Sequence, residues 1–206
     1  DEAAQSEAVS AYSEGKYTGI TVVLTGRDGY LTYASDAVSS FTKQKSPASK
    51  KLDFITSAVS KAHALSMRAS AVIFTSEDFS ENEISAAIDA LVCADAAAAG
   101  FDEIIAVLPV KENRIDSDTS KAVLKYLGTL AEKKGSSLLG ISFGREIYET
   151  PSLSPQLELF SSYADFLSID MSEKYGSADE AGQVISDVLD KISGSFGVYG
   201  LRVLLD

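Results

Sequence analysis

Short apolar runs recur along the chain, separated by stretches in which apolar residues return every three or four positions. The clearest run is Ile104-Ile105-Ala106-Val107-Leu108, which follows Gly100-Phe101-Asp102-Glu103 and stops at Pro109. It lacks polar alternation and is too short for a helix, so it reads as a strand covered on both faces, the mark of a parallel sheet. Similar runs stand at 20–24, 69–75, 138–143, 166–169 and 201–205. Between them the spacing turns helical. Ile55, Ala58, Val59 and Ala62 form one stripe in a helix over 52–66. Ser80 and Glu83 have capping-box spacing ahead of a helix with Ile84, Ile88, Leu91 and Val92 on one face, ended by Gly100. Ser117 or Asp118 opens a helix carrying Val123, Tyr126, Leu127, Leu130 and Ala131, and Gly135 ends it. Pro155 suits the first position of a short helix with Leu157, Phe160 and Tyr163. Ser177 and Glu180 cap a helix with Ala181, Val184, Ile185, Val188, Leu189 and Ile192.

Three stretches depart from this rhythm. Residues 1–16 are small and polar and read as a short helix or arm. Gly26-Arg27-Asp28-Gly29 joins the first strand to Tyr30-Leu31-Thr32-Tyr33, predicting an N-terminal β-hairpin. Residues 35–51, rich in Ser, Lys and Ala and interrupted by Pro47, predict an exposed loop with a helical turn.

The result is a βαβα repeat of roughly 30 residues per unit, the size of a βα crossover. About six parallel strands are expected, in a single domain over 1–206. The length, 206 residues, is short for a closed eight-stranded barrel, which takes about 250. An open doubly wound sheet fits the length better, but its first turn should carry a Gly-rich phosphate loop, and Gly26-Arg27-Asp28-Gly29 is not one.

Composition narrows the partners. The chain has 45% hydrophobic and 23% charged residues, as in a globular domain, with Lys+Arg 18 against Asp+Glu 30 and a formal charge of −12. That field repels nucleic acid and anionic membrane surfaces. No apolar run approaches the roughly 20 residues of a membrane span, and Asp1-Glu2 opens the chain without the features of a signal peptide. Cys93 is the one cysteine. Flanked by Leu91, Val92 and Ala94, it reads as a buried small hydrophobe. His63, the one histidine, sits beside a helical apolar stripe with no second ligand nearby in sequence, so it reads as structural. Gly140-Ile141-Ser142-Phe143-Gly144 matches the nucleophile-elbow pattern, but no histidine follows Ser142 to complete a triad. No phosphate loop, zinc spacing or calcium loop is present, and neither metal nor cofactor is expected.

The chain resembles a family of bacterial proteins classed as glycoside hydrolases with a βα-barrel, long called a domain of unknown function. The resemblance lies in Val22-Val23-Leu24 through Asp28-Gly29-Tyr30-Leu31-Thr32-Tyr33-Ala34-Ser35, in Ala94 through Ile104 with its Ala-Ala-Gly-Phe-Asp-Glu-Ile core, and in Tyr163-Ala164-Asp165-Phe166-Leu167-Ser168-Ile169 with Met171. It implies an incomplete or abbreviated TIM-barrel-like (β/α) repeat, with the open doubly wound sheet as the alternative. Further strands would be expected before residue 17 and after residue 206. It also implies a bacterial, extracellular or cell-surface setting. Two departures stand out. The family's first matched strand ends in an acid-and-lysine motif, where this chain has Val23, Thr25 and Gly26. Its central strand carries an aspartate and then an arginine, where this chain has Val107 and Pro109.

A glycosidase needs a carboxylate pair about 5–10 Å apart. Asp170, directly after a strand, is the best-placed acid for catalysis. Glu77, Asp78 and Glu146 also lie at strand ends, although Glu77 and Asp78 equally suit a helix N-terminus, and Glu146 with Arg145 equally suits an ion pair. Arg145, Tyr148, Glu173 and Tyr175 are the expected ligand contacts, the tyrosines through sugar stacking. With the central acid missing, the expectation is a non-catalytic glycoside-hydrolase-like domain binding a carbohydrate or a protein. The alternative is an active glycosidase whose pair includes Asp170.

Overall fold

The computed structural model describes residues 2–15, 17–76, 79, 82–109, 117–144, 159–170, 178–192 and 201–204. Among these, six strands pair in chain order: β1 (Gly19–Thr25), β2 (Arg68–Phe74), β3 (Glu103–Val107), β4 (Leu138–Gly144), β5 (Phe166–Asp170) and β6 (Leu201–Leu204). Every ladder is parallel. The helices are α1 (Glu2–Glu14), α2 (Asp36–Thr42), α3 (Leu52–Ala64), α4 (Glu83–Ala99), α5 (Ser117–Ala131) and α6 (Ala178–Ile192).

The order of strands decides between the two architectures. A doubly wound sheet reverses its order at a switch point. Here the order never reverses, so right-handed crossovers carry successive helices to one face, as in a barrel wall. Consistent with this, α4 packs against α3 on one side and α5 on the other. No ladder joins β6 to β1 among the described residues. The fold is an arc of a (β/α) barrel.

Alternation along the strands separates two cores. Leu24, Ala69, Ala71, Ile73, Ile104, Ala106, Leu139, Ile141, Phe143 and Leu167 pack in one cluster with the helices. On the opposite, concave face, Val72, Ile105 and Phe166 form a smaller cluster with Phe74 and Val107 against it. Both faces are therefore covered, as the uninterrupted apolar runs require. Gly140 makes the inner packing possible. A Cβ there would lie 2.3–2.8 Å from carbons of the Phe166 ring, closer than any non-bonded contact allows.

The helix α3 buries Ile55, Ala58, Val59 and Ala62, the stripe read from sequence. The helix α4 differs. Its buried residues are Asp89, Ala90, Val92, Cys93, Ala96 and Ala99, while Ile84 is 61% exposed. Close packing against β2 and β3 favours the alanine side, so the small residues and not the large ones define the inward face. Its N-cap is Asn82, whose side chain accepts from the N–H groups of Ile84 and Ser85; Ser80 lies outside the described residues. Gly100 ends α4 in the left-handed region at φ 88°, as expected.

The hairpin exists in its shortest form. Leu31 makes one antiparallel bridge with Thr25, and no strand grows over 30–33. The chain instead turns inward, burying Tyr33 completely. The loop expected over 35–51 contains α2, capped by Ser35, whose hydroxyl accepts from Val38 N–H. The N-terminal arm is the helix α1, held by Val9 against Ala62 and Met67.

Candidate functional site

In (β/α) barrels the C-terminal strand ends carry the chemistry and the N-terminal ends carry stability. The register places Phe74, Val107, Ser142, Ser168 and Arg202 in one row across β2 to β6. Two residues further toward the C-terminal end, Gly144, Asp170 and Leu204 form another row. Asp170 is thus the last residue of β5, with a neighbouring strand on each side. The other predicted site residues, Glu77, Asp78, Arg145, Glu146, Tyr148, Glu173 and Tyr175, lie outside the described residues.

Apart from Asp170 and Arg202, the described residues of these rows and of the end of β1 are glycine, apolar or hydroxylic. Val107 borders the concave cluster, Val23 is 39% exposed, and Thr25 is buried. The oxygens Thr25 Oγ1 and Ser142 Oγ are buried with no hydrogen-bond partner among the described residues. An unmet buried hydroxyl costs roughly 1–3 kcal/mol. Above this row, the Arg27 guanidinium stands 5.0 Å from the centre of the Phe74 ring. It is delivered by the turn that Gly29 permits at φ 77°. Asp28 serves that turn, its Oδ1 accepting from Tyr30 N–H at 3.2 Å.

Ser142 sits inside β4, between Val107 and Ser168 of the adjacent strands. A nucleophile elbow needs a sharp turn from strand to helix, so the Gly140–Gly144 match is a strand and not an elbow. His63 binds Asp102 through Nε2 at 3.0 Å, at the N-terminal end of the sheet. Cys93 is buried, its Sγ 3.5 Å from the Leu130 carbonyl, and burial pushes its thiol up to about 12. Among the described residues no three His, Cys, Asp or Glu side chains gather to hold a metal.

Two of the three motifs behind the family resemblance place an aspartate on the stability side. Asp102 and Asp165 each stand just before a strand and bind the edge of the preceding one. Beside Asp102, Glu103 is 5% exposed, with Arg68 Nη1 at 2.9 Å and Ser70 Oγ at 2.8 Å.

Two buried polar groupings were not legible in the sequence. Tyr126 donates to Asp89 Oδ2 at 3.0 Å, and its hydroxyl lies 2.9 Å from Thr75 Oγ1. Burial raises the Asp89 carboxyl to about 7, against the lowering effect of the Tyr126 hydrogen bond. On the same helix, Asp95 Oδ2 accepts from Tyr33 at 2.8 Å and Ser35 at 2.6 Å. Periodicity cannot reveal pairs that lie 62 and 60 positions apart.

No protein-family model matches the chain, and neither does any curated protein. Among solved structures, an aspartate-to-asparagine mutant of the Thermobaculum terrenum O-GlcNAc hydrolase superposes with a TM-score of 0.59 at 9% identity. The match covers 94% of this chain and 43% of that one, so the chain spans less than half the length of that enzyme. A xylose isomerase domain protein from Planctomyces limnophilus gives a TM-score of 0.44 at 14% identity, covering 92% and 91% of the two chains. At such identities the first likeness establishes the βα-barrel fold alone. Among the described residues no helix is long and apolar enough to cross a membrane.

Proposed function

We propose that this chain is a non-catalytic, glycoside-hydrolase-like domain that binds a carbohydrate or a protein at the bacterial cell surface. The observation that carries this reading is the composition of the concave row at the strand ends. Phe74, Val107, Ser142 and Ser168 stand there, and β1 ends beside them in Thr25. None can supply the proton donor or the carboxylate nucleophile that glycoside cleavage needs. A row without a carboxylate suits binding of a ligand better than hydrolysis of a glycoside. The barrel shared with the O-GlcNAc hydrolase supports the architecture, and the sequence resemblance supports the carbohydrate.

One observation favours a second reading. Asp170 ends β5 between Gly144 and Leu204, a position suited to a catalytic carboxylate. An active glycosidase would pair it with Glu77, Asp78 or Glu146, and place Arg145, Tyr148, Glu173 and Tyr175 around the sugar. Binding and hydrolysis on a glycan array, for the wild type and Asp170→Asn, separate the two. Binding without turnover supports the first, and turnover lost in the variant establishes the second.

A further inference from the structure

The chain between β1 and α3 borders an open surface cavity of about 640 Å³. In barrels such βα connections gather on the face where ligands bind. Lys43, Lys45 and Lys51 line it, together with Gln44 and the hydroxyl residues Ser39 and Ser49. The surrounding sequence is exceptional for this protein. On a chain of charge −12, residues 37–52 carry Lys43, Lys45, Lys50 and Lys51 and no acid. Lys50 is engaged over the Phe54 ring at 4.4 Å. Among the described residues, Lys43, Lys45 and Lys51 form no ion pair. Asp36 on the wall is the single acid against three cations.

The walls are fixed from beneath. Tyr33 and Ser35 tie the start of the segment to Asp95 of α4. Ala34 bridges Lys51 in parallel, and Ala34 N–H donates to Lys50 O at 2.6 Å, closing the two ends of the segment on each other. Ser46 Oγ reaches back to the Tyr33 carbonyl at 3.4 Å. A preformed pocket spends little entropy on ordering itself around a ligand.

We propose that this cavity is a binding site for an acidic saccharide, with Lys43, Lys45 and Lys51 meeting its carboxylate or sulfate groups and Gln44, Ser39 and Ser49 its hydroxyls. Three ammonium groups against a single acid are the complement of a polyhydroxylated anion. The saccharide as carrier of the charge rests on the carbohydrate reading above; the anion site does not.

The test is calorimetric titration with an oligogalacturonate, a neutral galactose oligomer of equal length, and inorganic sulfate. The proteins are the wild type, a Lys43→Gln/Lys45→Gln/Lys51→Gln triple variant, and a charge-matched Lys121→Gln/Lys125→Gln/Lys133→Gln control. The oligogalacturonate is expected to bind roughly tenfold more weakly to the first triple variant than to the wild type, as three exposed charge contacts imply. The control should match the wild type, and added salt should weaken binding. Equal binding by both triple variants would overturn the site, and binding of sulfate alone would overturn the saccharide. Lysine-independent binding of the neutral oligomer would refute the acidic site but leave the carbohydrate reading standing. Silence toward every saccharide, here and on the array, would remove both.

Discussion

Asp102 and Ala69 are joined by two hydrogen bonds running in opposite directions. Asp102 N–H donates to the Ala69 carbonyl at 2.9 Å, and Asp102 Oδ2 accepts from Ala69 N–H at 2.8 Å. Asp165 and Leu139 repeat the arrangement two strands later, at 2.7 and 2.8 Å. Each carboxylate also meets a nitrogen from the end of the helix before the bound strand, His63 Nε2 for Asp102 and Lys134 Nζ for Asp165. The device recurs because each βα unit poses the same problem, an unpaired N–H at the start of a buried strand.

Removing one such carboxylate should therefore cost more than its partial exposure suggests. Asp165→Ala leaves the N–H of fully buried Leu139 without its acceptor, a loss of about 1–3 kcal/mol. Lys121→Ala, which breaks the exposed pair with Asp118, should change stability by less than about 0.5 kcal/mol. Urea denaturation measures both, and equal effects would show that the strand-edge bond contributes nothing.

Two aspartates should give opposite pH dependence. Burial alone would raise the Asp102 carboxyl, but the Ala69 N–H and His63 hold it below the usual range. Its contribution is present above the ordinary aspartate value of about 4 and is lost as pH falls through the lower folded value. Asp89, raised to about 7 by burial, behaves in reverse. Its contribution is complete below about 4 and is lost as pH rises toward 7. Asp89→Asn should accordingly be more stable than the wild type at pH 8 and lose that advantage near pH 4. Thermal melts across this range decide the matter; a constant difference between the two proteins would refute the titration of Asp89.

Gly140→Ala should destabilise the protein by about 1–3 kcal/mol, because the new methyl overlaps the Phe166 ring. Phe166→Leu in the same chain should recover part of the loss. A double-mutant cycle tests this, and additive effects would mean that the two residues do not compete for space.

Cys93 should resist thiol reagents in the native state, since it is buried and its thiol is raised to about 12. Labelling should appear only with denaturant. Fast labelling of the folded protein would contradict the packing of α4 against α5.

The sheet was legible because uninterrupted apolar runs such as 104–108 carry their own burial signal, and α3 because its large residues mark its buried face. In α4 the signal failed, since Ala90, Ala96 and Ala99 are buried while Ile84 is exposed. The 35–51 segment is an exposed connection with one short helix, as its Ser- and Lys-rich sequence indicated, but its anchoring by Tyr33 and Ser35 was not legible, because both act through Asp95 far along the chain. For the site, the substitutions at Val23, Thr25 and Val107 were visible in the sequence, and the register then set Val107 beside Phe74 and Ser142. Of the acids proposed for catalysis, Asp170 alone has a described backbone position.

The most direct test is hydrolysis and binding on one glycan array, with the wild type and Asp170→Asn side by side. A non-catalytic barrel predicts glycan binding by the wild type with no product released by either protein. Turnover by the wild type that disappears in Asp170→Asn would contradict it and identify an active glycosidase.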